Sequence, residues 1–231
     1  MEHSQQAENV GKAGRKVNPI VCSSETPAKG SHDPQVLQCE KNIARAIQSS
    51  PFIRLMLAGL KDAGCSVTPH RHMVCEPCSP EVSGGYDQKM NQLLICSNMC
   101  LTPQKVEEIL AHELVHLYDF CTRNLDLTKS DHLACTEIRA ANLTHCKNQF
   151  YDTVTRLQWT SHTDCVKRKA ANSVRVIKRI SQSEALSIVE NVFTKCYRDL
   201  EPVGRITMDR NDNCRAFSDY KHFSRILNSQ K

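Results

Sequence analysis

Residues 112–116 read His112-Glu113-Leu114-Val115-His116, within a run that opens at Thr102-Pro103 and carries Val106, Leu110, Leu114 and Leu117 at helical spacing. Thr102 supplies an N-cap hydroxyl, and Pro103 suits the first helical position, where no backbone N–H is needed. The run therefore predicts a capped amphipathic helix. Two histidines four residues apart on a helix project from one face, one turn apart, so both imidazoles can reach one tetrahedral zinc. Glu113 is offset by about 100° around the helix and points beside such a metal, where it can serve as catalytic base for a water. From the chain's own His and Glu frequencies, this spacing arises by chance in roughly 0.02 of sequences of this length. The bland alternative is a surface helix with two solvated histidines. The capped amphipathic context favours the zinc reading.

A catalytic zinc takes three protein ligands and leaves one position for water. Asp126, Asp131, His132, Glu137 and His145 follow the motif and are the candidates for the third. Glu137 is the first choice: it lies 21 residues after His116, on a segment with Leu133, Ala134, Ile138, Ala141 and Asn142 that reads as the next helix, capped by Ser130 or Asp131. His132 is the second choice. Asp119 could support a ligand imidazole through a hydrogen bond. His72, Tyr118 and Arg139 are all chemically able to stabilise an oxyanion, and spacing does not choose among them.

Working outward, residues 1–37 are polar and low in apolar content, and are expected to be a disordered tail. Helical spacing then covers Ile43 to Ile47 and, from Pro51, Ile53 to Leu60, with Gly64 as a stop. Between His70 and Cys100 the pattern turns to β, with Met73–Cys75 and Leu93–Cys96 flanking a turn-prone Ser83-Gly84-Gly85, so a small hairpin or sheet is the natural expectation. The strand near Leu93–Ile95 is expected to be an edge that could bind an extended peptide. Val166–Ile180 and Glu184–Phe193 read as amphipathic helices, and the first could lay its cations on an anionic membrane, although a core-packed helix is the more ordinary account. The sequon Asn142-Leu143-Thr144 falls in a predicted helix and reads as coincidental.

The 231 residues are 40% apolar and 24% charged, the composition of one globular domain. The expected division is a tail at 1–37, an α+β metallopeptidase domain at 38–210 and a C-terminal tail at 211–231. Pro51–Leu60 is about half the length needed to cross a bilayer, so membrane contact is expected to be peripheral. The N-terminus shows neither the apolar core of a secretory signal nor an amphipathic presequence. A net charge of +5, dispersed over 30 cations and 25 anions, gives no basis for a nucleic-acid partner. Thirteen cysteines are several times what a reduced cytosolic protein usually carries, which points either to disulfides in an oxidising compartment or to structural metal. Cys75, Cys78, Cys96 and Cys100 have spacing compatible with a structural zinc knuckle, and disulfides are the favoured alternative.

Several blocks in order carry a family resemblance: Arg71-His72-x-x-Cys75-Glu76-x-Cys78, Val82-Ser83-Gly84-Gly85-Tyr86-Asp87, Ile95-Cys96-x-Asn98, His112-Glu113-Leu114-Val115-His116-x-x-Asp119-x-Cys121, His132-Leu133-Ala134-Cys135-x-Glu137-Ile138-Arg139, and Cys196-Tyr197-x-Asp199-x-Glu201-Pro202-x-Gly204-Arg205-Ile206. Over roughly residues 39–206 the chain resembles the mitochondrial inner-membrane-associated metallopeptidases that process and help assemble the ATP synthase. The resemblance implies a zincin-like α+β domain with a small cysteine-pinned β element, zinc as cofactor, and residence in the intermembrane space, peripheral to the inner membrane, after import without a cleavable presequence and oxidative folding. It implies as partners the ATP synthase subunit a precursor and rotor-ring assembly intermediates. In that family assembly does not require cleavage, so a non-proteolytic assembly chaperone with a dispensable metal site is the alternative, and a cysteine-based zinc-knuckle binding module is another. Thr207 and Met208 stand where the family tends to have a proline. Nothing in the pattern specifies an oligomeric state.

Overall fold

The computed structural model describes residues 33–80, 82–99, 102–146 and 161–229. Eight α-helices and three strands follow in the order α1 (Pro34–Ser49), α2 (Pro51–Asp62), α3 (Pro69–His72), β1 (Met73–Glu76), β2 (Gly84–Asp87), β3 (Gln92–Cys96), α4 (Pro103–Thr122), α5 (Ser130–Ala140), α6 (His162–Lys178), α7 (Gln182–Arg198) and α8 (Arg210–Asn228). A π-helical turn, Ala141–His145, prolongs α5. The described part is mostly helical, with one small sheet. Of the expected tail at 1–37, residues 1–32 lie outside the described residues, and α1 opens at Pro34 under an Asp33 cap.

Local chemistry explains the helix starts. Ser50 and Thr102 cap α2 and α4, each before a proline. Ser161 and Ser181 form capping boxes with Asp164 and Glu184 at α6 and α7. Helix α5 begins at Ser130 with Lys129 at the cap position and no side-chain cap, so neither Ser130 nor Asp131 performs that role. Gly64, at φ +88°, turns the chain away after α2.

Of the expected hairpin or sheet, the chain forms a small sheet. Its order is β1-β3-β2, with β1 parallel and β2 antiparallel to β3. Gly84 and Gly85 are strand residues rather than a turn. The turn lies beyond them, where the Asp87 carboxylate accepts from the Lys89 and Met90 amides and Asn91 takes φ +52°. The strand containing Leu93–Ile95 is therefore central, with both neighbours in place, and cannot accept a further strand. What admits β2 is the missing side chain at Gly84: a β-carbon there would lie 2.6 Å from Ile109 Cγ2 and 3.0 Å from the Leu94 carbonyl.

Apolar side chains form two clusters. One gathers α1, α2, the sheet and α4, including Ile53, Leu55, Met56, Leu93, Ile95, Leu110 and Leu114. The other gathers α5, α6 and α7, including Leu133, Ile138, Val166, Val174 and Val189. Val166, Ala170 and Val174 of α6 are thus core residues, in line with the core-packed account of this helix, and Ile177 is exposed. Residues 211–231, read from sequence as a tail, include most of α8. That helix packs on α2: Ala216 is buried, Arg54 stacks on the Phe217 ring, and the Tyr220 hydroxyl donates to Asp62. Gly59 admits Pro202 against α2, where a β-carbon would approach the proline ring to 2.7 Å.

Five disulfides cross-link the described residues: Cys39–Cys75, Cys65–Cys121, Cys78–Cys96, Cys135–Cys196 and Cys146–Cys165. Cys75 pairs with α1 and Cys78 with β3, so these thiols do not form the alternative zinc knuckle; Cys100 lies outside the described residues. The Cys135–Cys196 bridge closes a sequence separation of 61 residues and ties α5 to α7. By loop-closure entropy its removal in a Cys135→Ser, Cys196→Ser variant is expected to cost about 4 kcal/mol, measured by denaturant unfolding under non-reducing conditions. A loss below about 1 kcal/mol would show that packing alone holds α5 on α7.

Candidate metal centre

Helix α4 presents His112 and His116 on one face, and α5 packs against α4 with Glu137 facing them. The two Nε2 atoms lie 3.0 Å apart. Glu137 Oε2 is 3.8 Å from His112 Nε2, and Glu137 Oε1 is 3.6 Å from His116 Nε2. One ligand atom from each of the three residues lies within 4.8 Å of the others. Glu137 is buried, its Oε2 has no hydrogen-bond partner, and the Ser173 side chain hydrogen-bonds the carboxylate. A buried carboxylate that turns one oxygen to each of two imidazole nitrogens, with Oε2 left unpartnered, is costly unless a cation joins them. These donors fit a divalent cation.

The electrostatics agree. Burial holds the His112 imidazole well below its ordinary pKa, with His116, His145 and Lys169 adding to the effect. Burial, and then His145, lowers His116 to about 4. Both rings are neutral near pH ~7, the state in which imidazole binds metal. Burial raises the Glu137 carboxyl to about 7, against the hydrogen bond from Ser173.

The other sequence candidates sit elsewhere. His132 Nδ1 accepts the Asp126 backbone amide, so both residues serve the loop before α5. Asp131 is exposed on the first turn of α5. His145 is not a third ligand: the π-helical turn brings its Nε2 within 2.9 Å of His112 Nδ1, behind the ligand ring. Asp119 does support His116, but indirectly. His116 Nδ1 lies 2.9 Å from Thr136 Oγ1, and Thr136 donates to Asp119 Oδ2 at 2.8 Å. Sequence reasoning missed Thr136, a residue one position before Glu137 with no motif of its own. It also missed Gly84, whose absent β-carbon would sit 3.3 Å from Glu113 Oε1.

None of the three oxyanion candidates is presented to the cluster. Arg139 directs Nε to Asp119 at 2.9 Å, Nη1 to Asp199 and Nη2 to the Glu201 carbonyl at 2.6 Å. Tyr118 projects about 240° around α4 from His112 and packs near Gly59. His72 Nδ1 meets the Thr68 backbone, and its ring helps line a separate cavity of about 490 Å³ with Tyr86, Leu117 and Phe120. Asn142 is buried and donates to the Tyr197 carbonyl, which removes it as a glycosylation acceptor in the folded chain.

Glu137 yields a signed expectation for the metal-free protein. A carboxyl raised from 4.5 to about 7 contributes stability that is present below pH 4.5 and lost as pH rises through 7. Relative to a Glu137→Gln variant, the wild type should lose roughly 3 kcal/mol across that interval. Denaturant unfolding with chelator present measures it, and a pH-independent difference would mean that the carboxyl titrates normally.

Comparison with known proteins now adds to this geometry. The Peptidase M76 family pattern matches residues 37–204. The chain is 34% identical over 193 residues to the mitochondrial inner membrane protease ATP23 homolog of Danio rerio, covering 81% of this chain and 75% of that protein. It is 33% identical over 197 residues to the Homo sapiens mitochondrial inner membrane protease ATP23 homolog, covering 83% and 79%. It is 32% identical over 177 residues to the mitochondrial inner membrane protease atp23 of Neosartorya fischeri, covering 73% of each. No solved structure matches the chain. The helix α4 motif, the Glu137 helix and the cysteine pairs all fall within the matched residues, and the chain belongs to the Peptidase M76 family.

Proposed function

We propose that the chain is a zinc metalloendopeptidase of zincin-like architecture, with His112, His116 and Glu137 holding zinc and Glu113 acting as the proton-transferring base. The observation that carries this reading is the convergence of two neutral imidazoles and one orphaned carboxylate oxygen at a buried seam. Two histidines and a glutamate are a donor set of hydrolytic zinc sites. When bound, zinc polarises a carbonyl and acidifies water. Glu113 sits one residue after His112, about 100° around the helix, so its carboxylate flanks the ligand cluster instead of joining it. From there it takes a proton from the attacking water and delivers it to the leaving amine. Gly84 leaves that carboxylate room to stay beside the cluster.

A protease must also hold its peptide extended. Strand β2 is an edge of the sheet and Gly84 on it adjoins Glu113, so an extended segment adding along β2 would pass the proton-transferring group. The substrate proposed is the precursor of ATP synthase subunit a, with a further role in joining that subunit to the rotor ring. Support comes from the ordered sequence blocks and from relatives named as mitochondrial inner membrane proteases. The proposed location is the intermembrane space, peripheral on the inner membrane. Five disulfides suit an oxidising compartment, and among the described residues no helix is long and apolar enough to cross a membrane.

Two variants test the reading on protein folded under oxidising conditions. Glu113→Gln is expected to keep about one zinc by elemental analysis and to lose cleavage of the subunit a precursor by a hundredfold or more, about what removal of a general base costs. Unchanged ATP synthase assembly in that variant would assign assembly to a non-proteolytic activity. His116→Ala is expected to lose the zinc, and metal retained by it would place the site elsewhere and sink the peptidase reading.

A further inference from the structure

The two histidines of the cluster are backed by different chemistry. Behind His112 stands another imidazole, His145, whose Nε2 lies 2.9 Å from His112 Nδ1 and can either donate or accept. That contact leaves the His112 tautomer open. Behind His116 the partners allow one arrangement only. Asp119 is 1% exposed, and Arg139 Nε donates to both of its oxygens, at 2.9 and 3.1 Å. Arg139 has no lone pair to offer, and Asp119 turns both oxygens to it as acceptors. The Thr136 hydroxyl, 2.8 Å from Asp119 Oδ2, must therefore donate to it. Only lone pairs remain on Thr136 Oγ1 for His116 Nδ1, at 2.9 Å, so that nitrogen must carry the proton. The free lone pair of the ring is then on Nε2, the atom facing His112 and Glu137.

We propose that Thr136 is a positioning residue that holds His116 in its metal-binding tautomer, with the Asp119–Arg139 ion pair setting the direction of the hydrogen bond. The device reaches beyond α4 and α5. Arg139 also binds Asp199 and the Glu201 carbonyl after α7, and Arg123 bridges Asp119 and Asp199. One ligand is thereby held ready by the packed fold.

This inference rests on the metal reading above, so its test has one arm that needs no metal. In metal-free wild-type protein, histidine ring-nitrogen NMR shifts are expected to report His116 as the Nδ1–H tautomer. The Nε2–H form would overturn the proposal. In the second arm, Thr136→Val is expected to bind zinc about 10–100-fold more weakly by competition with a chromogenic chelator, and Thr136→Ser to stay within about threefold of wild type. Wild-type affinity in the valine variant, or equal losses in both variants, would overturn it. If the valine variant does not fold, the tautomer and the serine variant decide. Wild-type protein that takes up no zinc sinks the metallopeptidase reading and the positioning role together, whereas a failure of the hydrogen-bond chain alone shows in the tautomer.

Discussion

The Asp119–Arg139 pair joins the two halves of the core, and the candidate metal centre sits beside it. Asp119 belongs to α4 and Arg139 to α5, and both are essentially removed from solvent. A buried ion pair of this kind is weak as a source of net stability, because desolvation offsets most of the attraction. Its value is geometric. Removing either partner leaves an uncompensated buried charge, so α4 and α5 are held to one relative position. In that position Thr136 bridges to His116 and Glu137 faces both imidazoles.

Around the seam, covalent and packing constraints act in the same direction. Cys135, beside Thr136, is bonded to Cys196 near the end of α7, and Asp199, three residues later, closes the ion-pair network. Cys65–Cys121 ties the segment after α2 to the last turn of α4. Gly59 and Gly84 admit Pro202 and β2 to helices that a larger residue would hold away. The metal ligands are consequently carried on elements held from several sides, which is the requirement for a site that must keep its geometry through a reaction.

Much of this was legible beforehand because it depends on short-range periodicity. The four-residue spacing of His112 and His116 makes them neighbours on any helix, and Thr102-Pro103 announced that helix. Glu137 could be favoured over His132 only by separation, since choosing between them requires knowing how α5 folds back. The turn and the strand order were misread for a physical reason: Ser83-Gly84-Gly85 has the composition of a turn, yet its glycines allow a strand to approach a helix closely. Thr136 carried no local signal at all, and His145 stood out only as a candidate ligand, not as the partner of His112. The first acts through a carboxylate 17 residues upstream, and the second reaches His112 through a π-helical turn.

By itself the sequence determined most of the helices before residue 193, the pair of imidazoles on α4, the adjacent glutamate and an unusual load of cysteines, because each follows from spacing or count within one segment. The tertiary structure alone decided which carboxylate faces the histidines, which strand lies at the sheet edge, which cysteines pair and what stands behind each ligand. Those outcomes depend on contacts between residues far apart in the chain, where burial and hydrogen-bond geometry select among partners that local pattern leaves equivalent.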